Sequence, residues 1–252
     1  MAHWELLLLF FTIAAVYASA GFGGGSSYLA VMSLFTIPMQ TMRSTSLMCN
    51  IVVVLGGTYI LWKSGYLNFK KILPLSIASV PMTFLGGMMP LKEHTFFVLL
   101  GCSLIIAALL MVFQQYIKNK TGEQQLSIPK KIGMKSSAIG GTIGFLSGMV
   151  GIGGGIFLSP ILNLMKWDTP KNIAATASFF ILVNSIAGLA GQLFQNKFTL
   201  DWQFALPLMC AVLLGGQLGS RFSDLKLNQT WVRHVTAALV FYAGVNILWT
   251  HL

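Results

Sequence analysis

Apolar positions along the chain gather into ten blocks: roughly 4–20, 24–37, 44–61, 70–89 and 96–117, then 135–150, 152–165, 172–194, 202–220 and 231–250. A helix that crosses the hydrocarbon of a bilayer needs about 20 apolar residues, with about 17 as the lower limit. The second block of each set of five, at 14 residues, falls short of that length. It is better suited to one limb of a hairpin whose tip lies inside the membrane. The pattern predicts an all-α integral membrane protein.

Each short block is preceded by a cluster of glycines, Gly21-Phe22-Gly23-Gly24-Gly25 in one half and Gly151-Ile152-Gly153-Gly154-Gly155 in the other. The two pentads stand 130 residues apart, and the chain matches itself at nearly the same offset on either side. Pro38 meets Pro170, Ser46 meets Ser178 and Gly56 meets Gly188 at 132, while Pro74 meets Pro207 and Gly86 meets Gly219 at 133. The expected organisation is a first membrane repeat at 1–117, a polar linker at 118–132 and a second repeat at 133–252.

Composition sharpens this reading. Only 9% of the 252 residues are charged and 55% are hydrophobic, and mean hydropathy is +0.75. A water-soluble surface takes about a quarter of its residues as charged, so lipid is expected to face most of this chain. Residues 6–16 followed by Ala18-Ser19-Ala20 imitate a cleavable leader. Glu5 in place of a basic flank, and the internal counterpart before the second pentad, favour a retained first segment.

The placement of charge orients the halves. With the linker on the cytoplasmic side, the inner loops collect Lys63, Lys70, Lys71, Lys118, Lys120, Lys130, Lys131, Lys135, Lys166, Lys171, Arg221, Lys226 and Arg233. The outer loops hold only Arg43, Lys92 and Lys197. That is a strong positive-inside asymmetry. Five segments per half, with each glycine hairpin crossing twice or re-entering, make the second half inverted relative to the first.

Glycine permits turns that other residues resist and leaves its N–H unshielded. The helix N-terminus after each pentad presents unpaired donors and about half a positive charge, which suits an anion. The candidate substrate-binding residues are Gly23, Gly24, Gly25, Ser26 and Ser27 in the first half and Gly153, Gly154 and Gly155 in the second. Hydroxyls opening the third blocks (Ser44, Thr45 and Ser46; Thr176 and Ser178) and the amides Asn50 and Asn184 join them. Such groups donate to oxyanions without burying a charge. They serve equally in bonds to their own helix or to a neighbouring one. Arg43, opposite Ala175 in the repeat, is either a fixed charge at an outer mouth or an interfacial anchor. Asp168, between Lys166 and Lys171, reads as a solvated loop charge.

Other chemistries find no residues. No carboxylate falls inside an apolar block, no phosphate-binding loop occurs, and the three cysteines and four histidines lack ligand spacing. No basic stripe with interleaved aromatics suggests nucleic acid. Neither a catalytic residue, a metal nor a cofactor is expected; the partners expected are a small anion and the bilayer, with the oligomeric state open.

The apolar lead into Gly-x-Gly-Gly-Gly, the downstream proline and the small-hydroxyl stretch, all repeated after a basic linker, resemble the TauE/SafE family of sulfite exporters and related anion permeases. The likeness covers nearly the whole chain and is densest at 18–50 and 145–190. It implies a multi-pass carrier of the bacterial inner membrane for sulfite, sulfoacetate or other sulfonates. Arg43 among the hydroxyls departs from the pattern and bears on the choice between mono- and dianions. An anion channel with a glycine filter, or an intramembrane enzyme or complex subunit, stands as the alternative.

Overall fold

The computed structural model describes residues 4–19, 21–35, 37–121, 134–196, 198–221 and 229–251. Among these residues the chain is all helix and turn. The first half holds α1 (Trp4–Ser19), α2 (Gly25–Met32), α3 (Met39–Lys63), α4 (Phe69–Met88) and α5 (Glu93–Thr121). The second holds α6 (Met134–Val150), α7 (Gly155–Leu164), α8 (Pro170–Phe194), α9 (Trp202–Arg221) and α10 (Gln229–His251). Five of them, α3, α4, α5 up to Gln114, α8 and α9, are long and apolar enough to cross a membrane.

The short blocks fold shorter still. α2 spans 8 residues and α7 spans 10, about 12 and 15 Å at the α-helical rise. α2 ends at Met32 because Ser33–Phe35 tighten into turns, with Leu34 N–H on Val31 O and Phe35 N–H on Met32 O. α5 overruns its apolar block by four residues, so the expected linker begins as helix. Residues 122–133, which include Lys130 and Lys131, lie outside the described residues, as do Lys197 and Lys226.

Helices pair across the halves more than within them. α1 packs chiefly on α9, and α6, its positional equivalent, packs on α4. α3 and α8 lie together at the centre, α3 also against α9 and α8 also against α4. α5 pairs with α10, while α2 touches α10 and α7 touches α5. Exchanging the two halves thus maps the packing onto itself.

The α4–α6 seam shows how such contacts form without a hydrophobic drive between helices in lipid. Gly140, Gly144 and Gly148 recur every fourth residue along α6, and a Cβ on any of them would run into the carbonyls of Leu75, Ser79 and Thr83 on α4. Small residues at that spacing let backbones approach and gain dispersion contact. Gly215 and Gly219 of α9 do the same against Phe11 and Ala15 of α1.

The outside is apolar. Leu55, Tyr59, Leu73, Ile77, Ile106, Leu109, Phe113, Leu213, Leu214 and Tyr242 are exposed, and Trp4, Trp62, Trp202 and Trp249 stand exposed near helix ends. This is a surface made for acyl chains with aromatic rings toward the headgroups. Polar side chains instead gather inside, where Ser26, Ser27, Arg43, Ser44, Thr45, Ser46, Asn50, Ser178, Asn184 and Gln192 are all buried.

Candidate functional site

Each pentad bends the chain out of helix. Gly24 and Gly154, the residues just before α2 and α7, have φ of 86° and 82°, and Gly21, Gly151 and Gly153 are also left-handed at 78°, 85° and 83°. A Cβ resists that conformation, which explains the glycines at these positions. Neither helix start carries a side-chain cap. The first-turn amides of α2 and α7 therefore keep the donor character that helix geometry leaves unpaired.

The two breaks meet. A Cβ on Gly25 would stand 2.7 Å from Ile152 O and overlap the Asn50 amide. Gly23 and Gly153 press on that same amide, at 2.5 Å from Oδ1 and 2.8 Å from Nδ2 for a Cβ built on each. Asn50 is thus the wedge between the pentads. Its Nδ2 donates to Ile152 O at 2.9 Å, while its Oδ1 is buried without a partner.

Beside this wedge lies a cavity of about 10 Å³, lined by Tyr17, Phe22, Gly23–Ser26, Asn50, Ile152, Gly155, Ile156 and Ile181. It has room for about one water, less than a sulfur oxyanion occupies. The Tyr17 hydroxyl pairs with that of Ser27 at its edge.

The hydroxyls behave as fasteners across the halves. Ser46 Oγ lies 3.2 Å from Gly151 O and 3.0 Å from Gly25 O, and Ser178 Oγ donates to Gly21 O at 2.7 Å. Ser44 donates to Gln192 Oε1 at 2.8 Å, joining α3 to α8. Thr176 bonds its own helix at Asn172 O. Asn184 stands away from the pentads, 2.8 Å from Thr83 Oγ1, which also lies 2.9 Å from Gly144 O. One hydroxyl proton serves one acceptor, so turning the Asn184 amide lets Thr83 donate to Gly144 O and accept from Nδ2. Thr45 Oγ1 is buried without a partner.

Two charges depart from their expected settings. Arg43 is no interfacial anchor: only 2% of it is exposed, and Nη2 donates to Gly148 O at 3.0 Å. Asp168 is not a solvated loop charge either. It forms an ion pair with Lys71 at 2.6 Å, tying the α7–α8 turn to the start of α4, and its other oxygen accepts from Thr169 N–H and Asn172 Nδ2. Partial burial alone would raise its pKa; the bonds from Lys71, Thr169 and Asn172 and the Lys71 charge outweigh this and hold it below the ordinary carboxylate value.

Arg43, Ser46 and Asn50 share one face of α3, at spacings of three and four, and grip Gly148, Gly151 and Ile152 in turn. That stripe, and the parts played by Tyr17, Thr83 and Gln192, escaped the sequence reading. The helical spacing of the three α3 residues was a usable signal for the stripe. For the other three, only tertiary packing reveals a partner.

The family model described as Sulfite exporter TauE/SafE matches residues 6–247. Among curated relatives, the probable membrane transporter protein y4hK of Sinorhizobium fredii is 32% identical over 250 residues, 97% of each chain. The probable membrane transporter proteins YunE of Bacillus subtilis and MJ0441 of Methanocaldococcus jannaschii are each 26% identical. These two matches cover 95% of both chains and 96% and 94% of the respective chains. No solved structure matches the chain.

Proposed function

The chain belongs to the TauE/SafE sulfite exporter family, and from that premise we propose that it exports sulfite or small organosulfonates across the bacterial inner membrane by alternating access. Membership makes it a multi-pass membrane transporter and not an enzyme. The observation that carries the finer reading is the meeting of the two glycine breaks around Asn50, beside a cavity with room for about one water. Two helix N-termini start there, at Gly25 and Gly155, and their first-turn amides suit an oxyanion.

The reciprocal packing of α1 on α9 and α6 on α4 supports two inverted repeats, at 1–117 and 133–252, that rock about this point. The Lys71–Asp168 pair supports the same parity, since it brings two expected cytoplasmic loops together. On this reading the linker at 118–132 faces the cytoplasm.

Ser46 and Ser178 hold the pentads shut in the closed state and release their hydroxyls to the anion as the halves part. A cavity this small favours a carrier over an open pore with a glycine filter. An inside-negative potential favours exit by about 2.3 kcal/mol per charge per 100 mV, so export needs no coupling ion. Proteoliposomes loaded with sulfite should release it with saturating kinetics, and a positive interior should slow the release. No flux of any sulfur-containing anion overturns the proposal.

A further inference from the structure

We propose that Arg43 is the charge-selecting residue of the anion route, a second subsite where the Nε edge of its guanidinium receives the oxyanion on the outer side of the Asn50 cavity. The inference rests on the transport reading above. Four observations carry it.

The side chain is the largest fully buried one among the described residues, at 2% exposure. Among the described residues the one ion pair is Lys71–Asp168, so no described carboxylate neutralises Arg43. Its hydrogen bond to Gly148 O uses one of five N–H donors, and Nε is buried without a partner. A charge inside the membrane is costly and marks a pathway by default. A substrate anion supplies what the protein withholds, because a guanidinium edge matches two oxyanion oxygens at once.

Part of this arrangement is a cap on the C-terminal end of α6, where Nη2 meets Gly148 O. Ala175, buried, stands at the matching position of the other half. The matching carbonyl there, Ala18 O, accepts from Gly21 N–H at 3.1 Å, whereas Gly151 N–H bonds Ser147 O at 2.7 Å and leaves Gly148 O to Arg43. That cap occupies Nη2 and leaves Nε without a partner, so it accounts for one donor and not for the buried charge as a whole. It lies seven residues before Asn50 on the same face of α3, about 10 Å along the axis at the helical rise. Its charge also offsets the negative end of α6, leaving the N-terminus of α7 to set the local field.

The test uses full-length protein with sulfite as the probe, in Arg43→Gln, which keeps a donor for Gly148 O, and Arg43→Lys, which keeps the charge without the fork. Efflux from proteoliposomes gives half-saturation, and thermal unfolding without sulfite reports folding. The Gln variant should raise half-saturation about tenfold or more and Lys by less, at an unchanged unfolding temperature. Wild-type half-saturation in the Gln variant, or a lowered unfolding temperature as its only change, overturns the inference. If the Gln variant does not fold, Lys decides: raised half-saturation at unchanged stability upholds the subsite, and wild-type half-saturation overturns it. A wild-type protein that neither moves nor binds sulfite sinks the transport reading itself, which the variants alone cannot do.

Discussion

Ser46 and Ser178, 132 residues apart in sequence, each place a hydroxyl on the first glycine carbonyl of the opposite half's pentad: Ser46 at 3.2 Å from Gly151 O, Ser178 at 2.7 Å from Gly21 O. The two bonds exchange partners as the halves exchange places. Ser46 Oγ lies closer still to Gly25 O of its own half, at 3.0 Å, and its one proton serves one of the two carbonyls at a time. Replacing Ser46 with alanine strands a buried carbonyl, which costs about 1–3 kcal/mol, whereas Ser178→Ala removes a part-buried bond and should cost about 0.5–1.5 kcal/mol. Thermal unfolding in detergent should show both losses. A neutral Ser46→Ala would mean the pentads are held by something else.

Glycine positions should divide sharply. Gly25→Ala drives a methyl into the Asn50 amide and toward Ile152 O, an overpacking cost of about 1–3 kcal/mol, with flux lost as the breaks are pushed apart. Gly57, within α3, has nothing within 4 Å of a Cβ. Gly57→Ala should be neutral or gain up to about 1 kcal/mol from helix propensity. Parallel melting curves and efflux assays on the two variants check the contrast.

Asn50 should be the most telling single site for ligand. It wedges the pentads and lines the cavity. Wild-type protein in sulfite at 100 times its dissociation constant should gain about 2.7 kcal/mol of stability. Asn50→Ala should abolish most of that gain. Calorimetry with and without sulfite reads it directly, and an undiminished gain would place the anion elsewhere.

The Lys71–Asp168 tie sets a pH dependence. Because the folded carboxyl titrates below its ordinary value, its contribution is full above the unfolded pKa of about 3.9 and fades as pH falls through the lower folded value. Asp168→Asn should therefore melt below wild type at neutral pH, and the two curves should converge in acid. Melting scans across that range decide it; a gap that widens in acid would contradict the pairing.

Much of this architecture was written in the order of apolar blocks. α3, α8 and α9 begin and end within a few residues of theirs, because a helix that crosses the hydrocarbon carries about 20 mostly apolar residues between polar ends. α2 came out at 8 residues against an expected 14, since the block's hydrophobicity says nothing of the turns at Ser33–Phe35. Among site residues, the repeat register matches Ser46 with Ser178. It could not show that each hydroxyl lies against a carbonyl of the other half, because that partner is fixed only when α3 and α8 pack.

Arg43 illustrates the converse. A lone basic residue at the head of an apolar block reads equally well as anchor or as buried charge, and only the closeness of Gly148 and Gly151 decides. Asp168 looked solvated for the same reason: Lys71, 97 positions away in the chain, is invisible from its neighbours. The glycines at 140, 144 and 148 recur at a close-packing spacing, a signal the sequence reading did not use.

That seam, with its twin between α9 and α1, bears on how the protein is made. α1 leaves the ribosome long before the groove on α9 that seats it exists, and α4 must likewise wait for α6. Neither half can reach its final packing by itself. Insertion therefore runs ahead of assembly, the early helices resting in lipid until synthesis of the later ones delivers their mates.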